Sequence, residues 1–197
     1  FGVAMSASQM PDPWSSLEVA KLLIGVLTPL SVAILGWLVS RHLKQLELIQ
    51  WTNQKVIEKR IIVYDSIAPK LNMLLCFFTF VGYWKSVSPA DVVNAKRDLD
   101  KEVNIYRHVF DENVYSTYQS FIHTLFDTYT GPGHDAKILS MIKGSDGDRT
   151  AHCTYQWNEK WSSLFLPDKA NSKKEIQAKY LELMSALTNS LGVKRGA

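Results

Sequence analysis

Leu22-Leu-Ile-Gly-Val-Leu-Thr-Pro-Leu-Ser-Val-Ala-Ile-Leu-Gly-Trp-Leu-Val39 is eighteen consecutive residues without a charge. At about 1.5 Å of rise per helical residue, and counted with its flanks from Val19 to Ser40, the stretch reaches roughly 30 Å, the thickness of a bilayer's hydrocarbon core. A core helix of a water-soluble protein rarely runs this far without a polar face. The stretch therefore reads as a membrane-spanning helix over residues 17–40, with the lipid bilayer as its first partner. The rest of the chain is organised around it.

The flanks orient the span. Arg41, Lys44, Lys55, Lys59 and Arg60 follow it, whereas only Lys21 precedes it. An excess of Lys and Arg marks the cytoplasmic side of a span. The expected topology is a single pass through the inner (cytoplasmic) membrane, N-terminus outside and C-terminal domain in the cytoplasm. Residues 1–16 form a short extracytoplasmic leader, with Asp12 as helix cap, Pro13 in the first turn and Trp14 at the outer interface, as Trp37 is at the inner one. Asp12 and Glu18 stand where a secretory signal would carry basic residues, and Met5-Ser-Ala-Ser is the expected start of translation. Two cysteines, Cys76 and Cys153, do not make a disulfide framework and fit a reducing compartment.

Within the span, Gly25, Pro29, Val32, Gly36 and Ser40 recur at spacings of 4, 3, 4 and 4, which places them on one helical stripe. Small residues so arranged, as in Gly36-Trp-Leu-Val-Ser40, let a second helix approach closely, so a homo-oligomer built through the span is expected. Pro29 should kink the helix or free a carbonyl, which Thr28 or Ser31 could satisfy. Past the membrane, Val39, Leu43, Leu46, Gln50, Asn53 and Ile57 form a heptad-like seam in a basic juxtamembrane stalk over residues 41–60. Gln50 and Asn53 interrupt it, which argues against a long coiled coil.

The second apolar block, Leu71 to Trp84, holds only fourteen uncharged residues. That is short for a span and suits the central helix of a domain over residues 61–197, although a second membrane segment would also account for it. Ser88-Pro89-Ala90-Asp91 is a helix start, for a helix running to about Phe110. Asp111 restarts a helix from Glu112 to Tyr129, stopped by Gly131-Pro-Gly133, and short helices follow at Ala136–Ile142 and around Tyr155–Phe165. Lys143–Arg149 reads as a flexible polar loop. Ser172-Lys-Lys-Glu175 is a capping box for a last helix carrying Ile176, Tyr180, Leu183, Met184, Leu187 and Leu191, with Gly192 beyond its end. No segment shows strand alternation. The expected fold is all-α: an N-terminal transmembrane helix continuing into a cytosolic bundle of four to six helices.

Residues that carry chemistry are few. Ser145-Asp-Gly-Asp148 lacks the ligand spacing of a calcium loop, and His152-Cys153 has no second pair at metal spacing. No phosphate-binding glycine loop, nucleophile elbow or motif-spaced carboxylate pair occurs, so no catalytic residue, metal or cofactor is expected and the chain does not read as an enzyme. A formal net charge of +3 is too mild to indicate nucleic acid. One segment could hold a small ligand: Tyr129-Thr-Gly-Pro-Gly-His-Asp-Ala136. There Gly131 and Gly133 leave amides open ahead of an expected helix start, with His134 and Asp135 beside them. Asp135 could equally be a cap.

The N-terminal span, Trp51-Thr-Asn-Gln-Lys-Val-Ile-Glu-Lys-Arg-Ile-Ile-Val-Tyr-Asp65, Pro69-Lys-Leu-Asn72, Trp84-Lys85, Lys96-Arg97 and Thr130-Gly131 together resemble small uncharacterised bacterial membrane-anchored helical proteins. Such proteins occur in mobile or prophage regions, sometimes beside anti-phage systems. The resemblance covers roughly residues 17–140 and implies a setting, antiviral defence at a membrane, with no catalytic residue to carry over. The expected function is a membrane-anchored interaction module whose cytosolic domain meets a protein or small ligand. Its alternatives are a scaffold that recruits a cytosolic protein without forming a pore, and a membrane-proximal enzyme.

Overall fold

The computed structural model describes residues 16–129, 131–145 and 147–192. The expectations for the leader, Asp12, Pro13 and Trp14 among them, and those involving Thr130 and Asp146, fall outside the described residues. The chain divides into two compact units, 1–53 and 54–197. Among the described residues most are helical and the strands are two residues long, so the fold is all-α in class.

Helix α1, Ser16–Thr79, runs through both units. Its part in the first unit buries nothing: Leu22, Ile24, Leu27, Leu30, Ile34, Leu35 and Trp37 are all exposed. By length and composition α1 is a candidate membrane span near the N-terminus. Thr28 Oγ1 donates to the Ile24 carbonyl (2.7 Å) and Ser31 Oγ to the Thr28 carbonyl (2.8 Å). Proline at 29 frees the Gly25 carbonyl, four residues back. The two hydroxyls thus bond other carbonyls, not the one that was expected to need them.

In the second unit α1 changes character. Val63, Ile67, Leu71, Leu74 and Phe78 recur at helical spacing and are buried, with Phe77 beside them, while Asp65 and Lys70 keep to the other side. The apolar block from Leu71 is therefore the core helix of this unit. It ends in a Schellman-type turn: the Val81 N–H reaches back to the Cys76 carbonyl (3.2 Å), and Phe80 takes the left-handed position with φ 59°. Glycine usually fills that position, because a side chain there costs about 1–2 kcal/mol.

Helix α2, Pro89–Ile105, starts at a complete capping box: the Ser88 N–H donates to Asp91 Oδ2 (2.9 Å), and the Asp91 N–H donates to Ser88 Oγ (3.2 Å). Helix α3, Glu112–Leu125, buries Val114, Tyr118, Phe121, Ile122 and Leu125, and packs chiefly on α5, described below. Strands β1 (Phe126–Asp127) and β2 (Lys137–Ile138) pair antiparallel, as do β3 (Lys143–Gly144) and β4 (Gly147–Asp148). A single turn, α4 (Arg149–His152), and a 3₁₀ helix at Glu159–Leu164 lead to α5, Lys173–Ser190. Ser172 Oγ accepts from the Glu175 N–H (3.2 Å), and Gly192, φ 79°, follows the helix end.

Four sequence expectations change. The helix from Pro89 stops at Ile105, and Arg107–Val109 forms a separate 3₁₀ turn. The helix from Glu112 stops at Leu125, since Phe126 and Asp127 are held extended against β2. That same pairing removes the helix expected at Ala136–Ile142: Ile138 is fully buried, bridged to Phe165 on one side and Phe126 on the other. In the segment expected to be a flexible polar loop, Lys143–Gly144 pairs with Gly147–Asp148, and Asp148 caps the turn that follows.

Candidate functional site

Gly25, Pro29, Gly36 and Ser40 are exposed along α1. A Cβ built on Gly25 or Gly36 would meet nothing within 4 Å, so a larger side chain fits this chain at either position. Both lie on the stripe read from the sequence.

The second sequence candidate is a turn. Gly131 and Gly133 have φ 129° and 75°, and the His134 N–H closes the turn on the Gly131 carbonyl (3.2 Å). His134 is exposed, and Asp135 pairs with Arg97 of α2. Arg97 and Asp135 line a cleft of about 260 Å³ with Lys160 and Trp161. Strand β2 follows the turn in place of the expected helix, so no helix N-terminus points at these glycines.

The most unusual chemistry of the second unit lies elsewhere, at Arg149. This side chain is 1% exposed. Nε donates to the Met141 carbonyl (3.1 Å), and Nη2 donates to the Phe77 carbonyl (2.9 Å) and to Ser140 Oγ (3.1 Å). The guanidinium carbon lies 3.9 Å from the ring centres of both Phe77 and Phe80, and 5.9 Å from that of Trp84. The aromatic faces supply the negative potential that a carboxylate would otherwise provide. Nη1 is buried without a hydrogen-bond partner among the described residues. Burial pulls the guanidinium down to about 9, which leaves it charged at neutral pH.

Local structure holds Arg149 there. Asp148 Oδ1 accepts from the N–H groups of Thr150 (2.8 Å) and Ala151 (3.2 Å), fixing the turn that Arg149 opens. The Asp148 carboxyl is held down at about 2, chiefly by the Thr150 hydroxyl donating to it at 2.6 Å. Phe80 adopts its left-handed conformation with its ring on the guanidinium and edge-on to Trp84, at 5.1 Å between centres. Gly147, φ 150°, passes so close that a Cβ there would come within 3.3 Å of the Phe80 ring. Nearby, burial pushes the Tyr155 hydroxyl up to about 12, against the opposing pull of Arg149.

Sequence reading missed this cluster. Arg149 closes the run Lys143-Gly-Ser-Asp-Gly-Asp-Arg149, which carries every mark of a solvated loop. The aromatic residues that enclose it are some seventy positions away. The density of aromatic residues beside polar loops, Trp84 and Tyr155 included, was the one sign.

A separate polar network joins α2 and α3. Tyr118 donates to Asp100 Oδ1 at 2.6 Å, and Lys96, also buried, donates to Asp100 Oδ2. Burial raises the Tyr118 hydroxyl well above its ordinary range, with the Asp100 carboxylate adding to the effect. Among the described residues, no three His, Cys, Asp or Glu side chains come together as a metal site would need.

Comparison with known proteins finds no family model, no curated protein and no solved structure that matches this chain. What the fold and site define is a class: a helical domain following a helix long and apolar enough to cross a membrane.

Proposed function

We propose that the protein is a membrane-anchored interaction module. Its span self-associates, and its helical domain senses a cytosolic protein or small ligand, in the manner of a defence effector that alters the membrane. In this reading α1 crosses the inner membrane once, N-terminus outside, and the domain, a bundle of four to six helices, lies in the cytoplasm. The basic residues that follow the span support that orientation.

One observation carries the reading. The apolar residues of α1 from Leu17 to Trp51 are all exposed, whereas those from Val63 to Phe78 close a core of their own. An apolar surface of that length needs lipid or another helix to cover it. The stripe of Gly25, Pro29, Gly36 and Ser40 is where a second copy would approach.

The test compares the natural chain with the double variant Gly25→Leu, Gly36→Leu, by size in detergent and by dye uptake in expressing cells. Leucine fits both positions of the single chain, so a change in size reports on the partner helix. A defined oligomer that leaks dye, with both properties lost in the variant, is the expected result. An assembly indifferent to the glycines, with tight membranes, would leave a scaffold that recruits a protein without opening a pore.

A further inference from the structure

We propose that the stalk of α1, from Val39 to Asn53, pairs with a second copy of this chain as a short parallel coiled coil whose register Gln50 and Asn53 fix. The inference rests on the single-pass reading of α1 above, but not on the glycine stripe of the span.

Helix α1 stays helical through Gln50 and Asn53, the two residues that interrupt its apolar seam. Val39, Leu43, Leu46, Gln50 and Asn53 alternate at spacings of 4 and 3, and all are exposed. The alternation carries on without a slip from Gly25, Pro29, Val32 and Gly36 in the span. A straight α-helix drifts about 20° per heptad against such a repeat, or about 80° between Gly25 and Asn53. Only a helix that supercoils around α1 keeps to the seam. At about 1.5 Å per residue the seam is about 42 Å long. Among the described residues the next longest helix, α5, has 18 residues, about 27 Å, and turns its apolar face to the core of the second unit. The partner is therefore another chain.

The residues beside the seam suit an identical chain. With Leu43 and Gln50 at a positions and Leu46 and Asn53 at d, Arg41 and Leu48 fall at f and Lys44 at b. The cations thus stand on the outer side, and two copies meet without like charges. His42 at g and Glu47 at e face each other across two parallel helices, an imidazole N–H beside a carboxylate. Among the described residues neither makes an ion pair within its own chain.

Gln50 and Asn53 complete the match. A side-chain amide carries both donors and an acceptor, so it is its own complement when two copies stand level. Copies inserted in the membrane in the same sense hold each residue at the same height. A slip of one heptad would set Gln50 against Leu43 and Asn53 against Leu46, leaving the amides unpaired beside leucine. The amides weaken the coil and fix its register, which is why it is short.

The test introduces one cysteine at a time into the full chain, Leu43→Cys, Leu46→Cys or Leu48→Cys, and treats membranes of expressing cells with copper phenanthroline. Helix axes about 8–10 Å apart, with Cα atoms about 2.3 Å off each axis, bring facing a or d residues to about 5 Å, within the range of a disulfide. Leu48 lies on the far side. All three side chains are exposed, so the substitutions keep the fold. The natural chain, with Cys76 buried and Cys153 half-buried, gives the background. Leu43→Cys and Leu46→Cys are expected to give a product of twice the chain mass at several-fold the yield of Leu48→Cys. Equal yields at the three positions, no product at either seam position, or a product with a protein of another mass overturns the proposal. The same series in the Gly25→Leu, Gly36→Leu chain separates the stalk from the span. Seam links that persist there uphold the stalk whatever becomes of the oligomer size and dye leak, and links lost there place the contact in the span alone and overturn it.

Discussion

The two apolar stretches of α1 have similar composition and opposite fates. Residues 22–39 carry apolar side chains on every side and all are exposed, whereas residues 63–78 confine them to one stripe and bury it. Apolar content alone says that a surface needs covering; its arrangement around the helix says by what. A stripe opposite Asp65, Ser66 and Lys70 calls for a partner on one side only. Here α2 answers on the polar side as well: Lys70 Nζ bonds Glu102 at 2.7 Å, and Ser66 Oγ donates to the same carboxylate at 3.0 Å. An all-round apolar surface has no such solution within a single chain of this size.

Cutting one large side chain from each stretch breaks the comparison most sharply. Phe77 is fully buried, stacked on Arg149 and 5.5 Å from Phe78 between ring centres. Phe77→Ala is expected to cost the domain about 3–5 kcal/mol, the range for a buried Phe truncated to Ala. Leu27→Ala removes a side chain that touches no core, and is expected to leave domain unfolding unchanged. Denaturant unfolding in detergent, followed by tryptophan fluorescence, measures both. Equal losses in the two variants would mean that burial does not separate the two stretches.

A smaller effect is expected at Arg60, near the start of the second unit. Its Nε donates to the Val109 carbonyl at 2.6 Å, Nη1 donates to the Ser190 carbonyl at the end of α5, and Nη2 lies 3.5 Å from Asp111. A cation there meets the negative end of α5 and ties α1 to two other segments. Arg60→Ala is expected to lower domain stability by about 1.5–3 kcal/mol, the range for a hydrogen bond to a charged group. Arg60→Lys should recover only part of that, because an ammonium cannot span three acceptors in a fixed fork. Full recovery with Lys would reduce the role of Arg60 to charge alone.

The all-α class, the helix starts at Ser88 and Ser172, and the inward face of α5 were legible because each rests on local spacing or a local cap. The stretch from Phe126 to Phe165 was not. Its strands are two residues long, too short for alternation to register, and Ile138 is buried only because Phe126 and Phe165, distant in sequence, close on it. That Gly25, Pro29, Gly36 and Ser40 share one face of α1 follows from helical periodicity alone. The Gly131–Asp135 turn was legible as a turn, but its supposed helix dipole depended on a helix that the β1–β2 pair forbids. Arg149 was hidden for the same reason as Ile138. Its polar neighbours in sequence describe a solvated loop, and only the fold brings Phe77, Phe80 and Trp84 around it.

The smallest effect concerns how that loop is held, and it is read against pH. The Asp148 carboxyl falls from its ordinary 3.8 to about 2 in the folded chain, chiefly through the Thr150 hydroxyl. A carboxyl whose pKa is lowered by folding stabilises the fold above its unfolded value and loses that contribution as pH falls through the folded value. The domain should therefore weaken as pH drops from about 4 toward 2, with Asp148 supplying part of the slope. Asp148→Asn keeps an oxygen that can accept from the Thr150 and Ala151 N–H groups but cannot titrate. It is expected to flatten this part of the acid limb while leaving neutral-pH stability nearly unchanged. Unfolding midpoints taken across that pH window for the two chains decide it. An unchanged acid slope would show that the cap holding Arg149 in its aromatic enclosure depends on backbone geometry alone, not on the carboxylate charge.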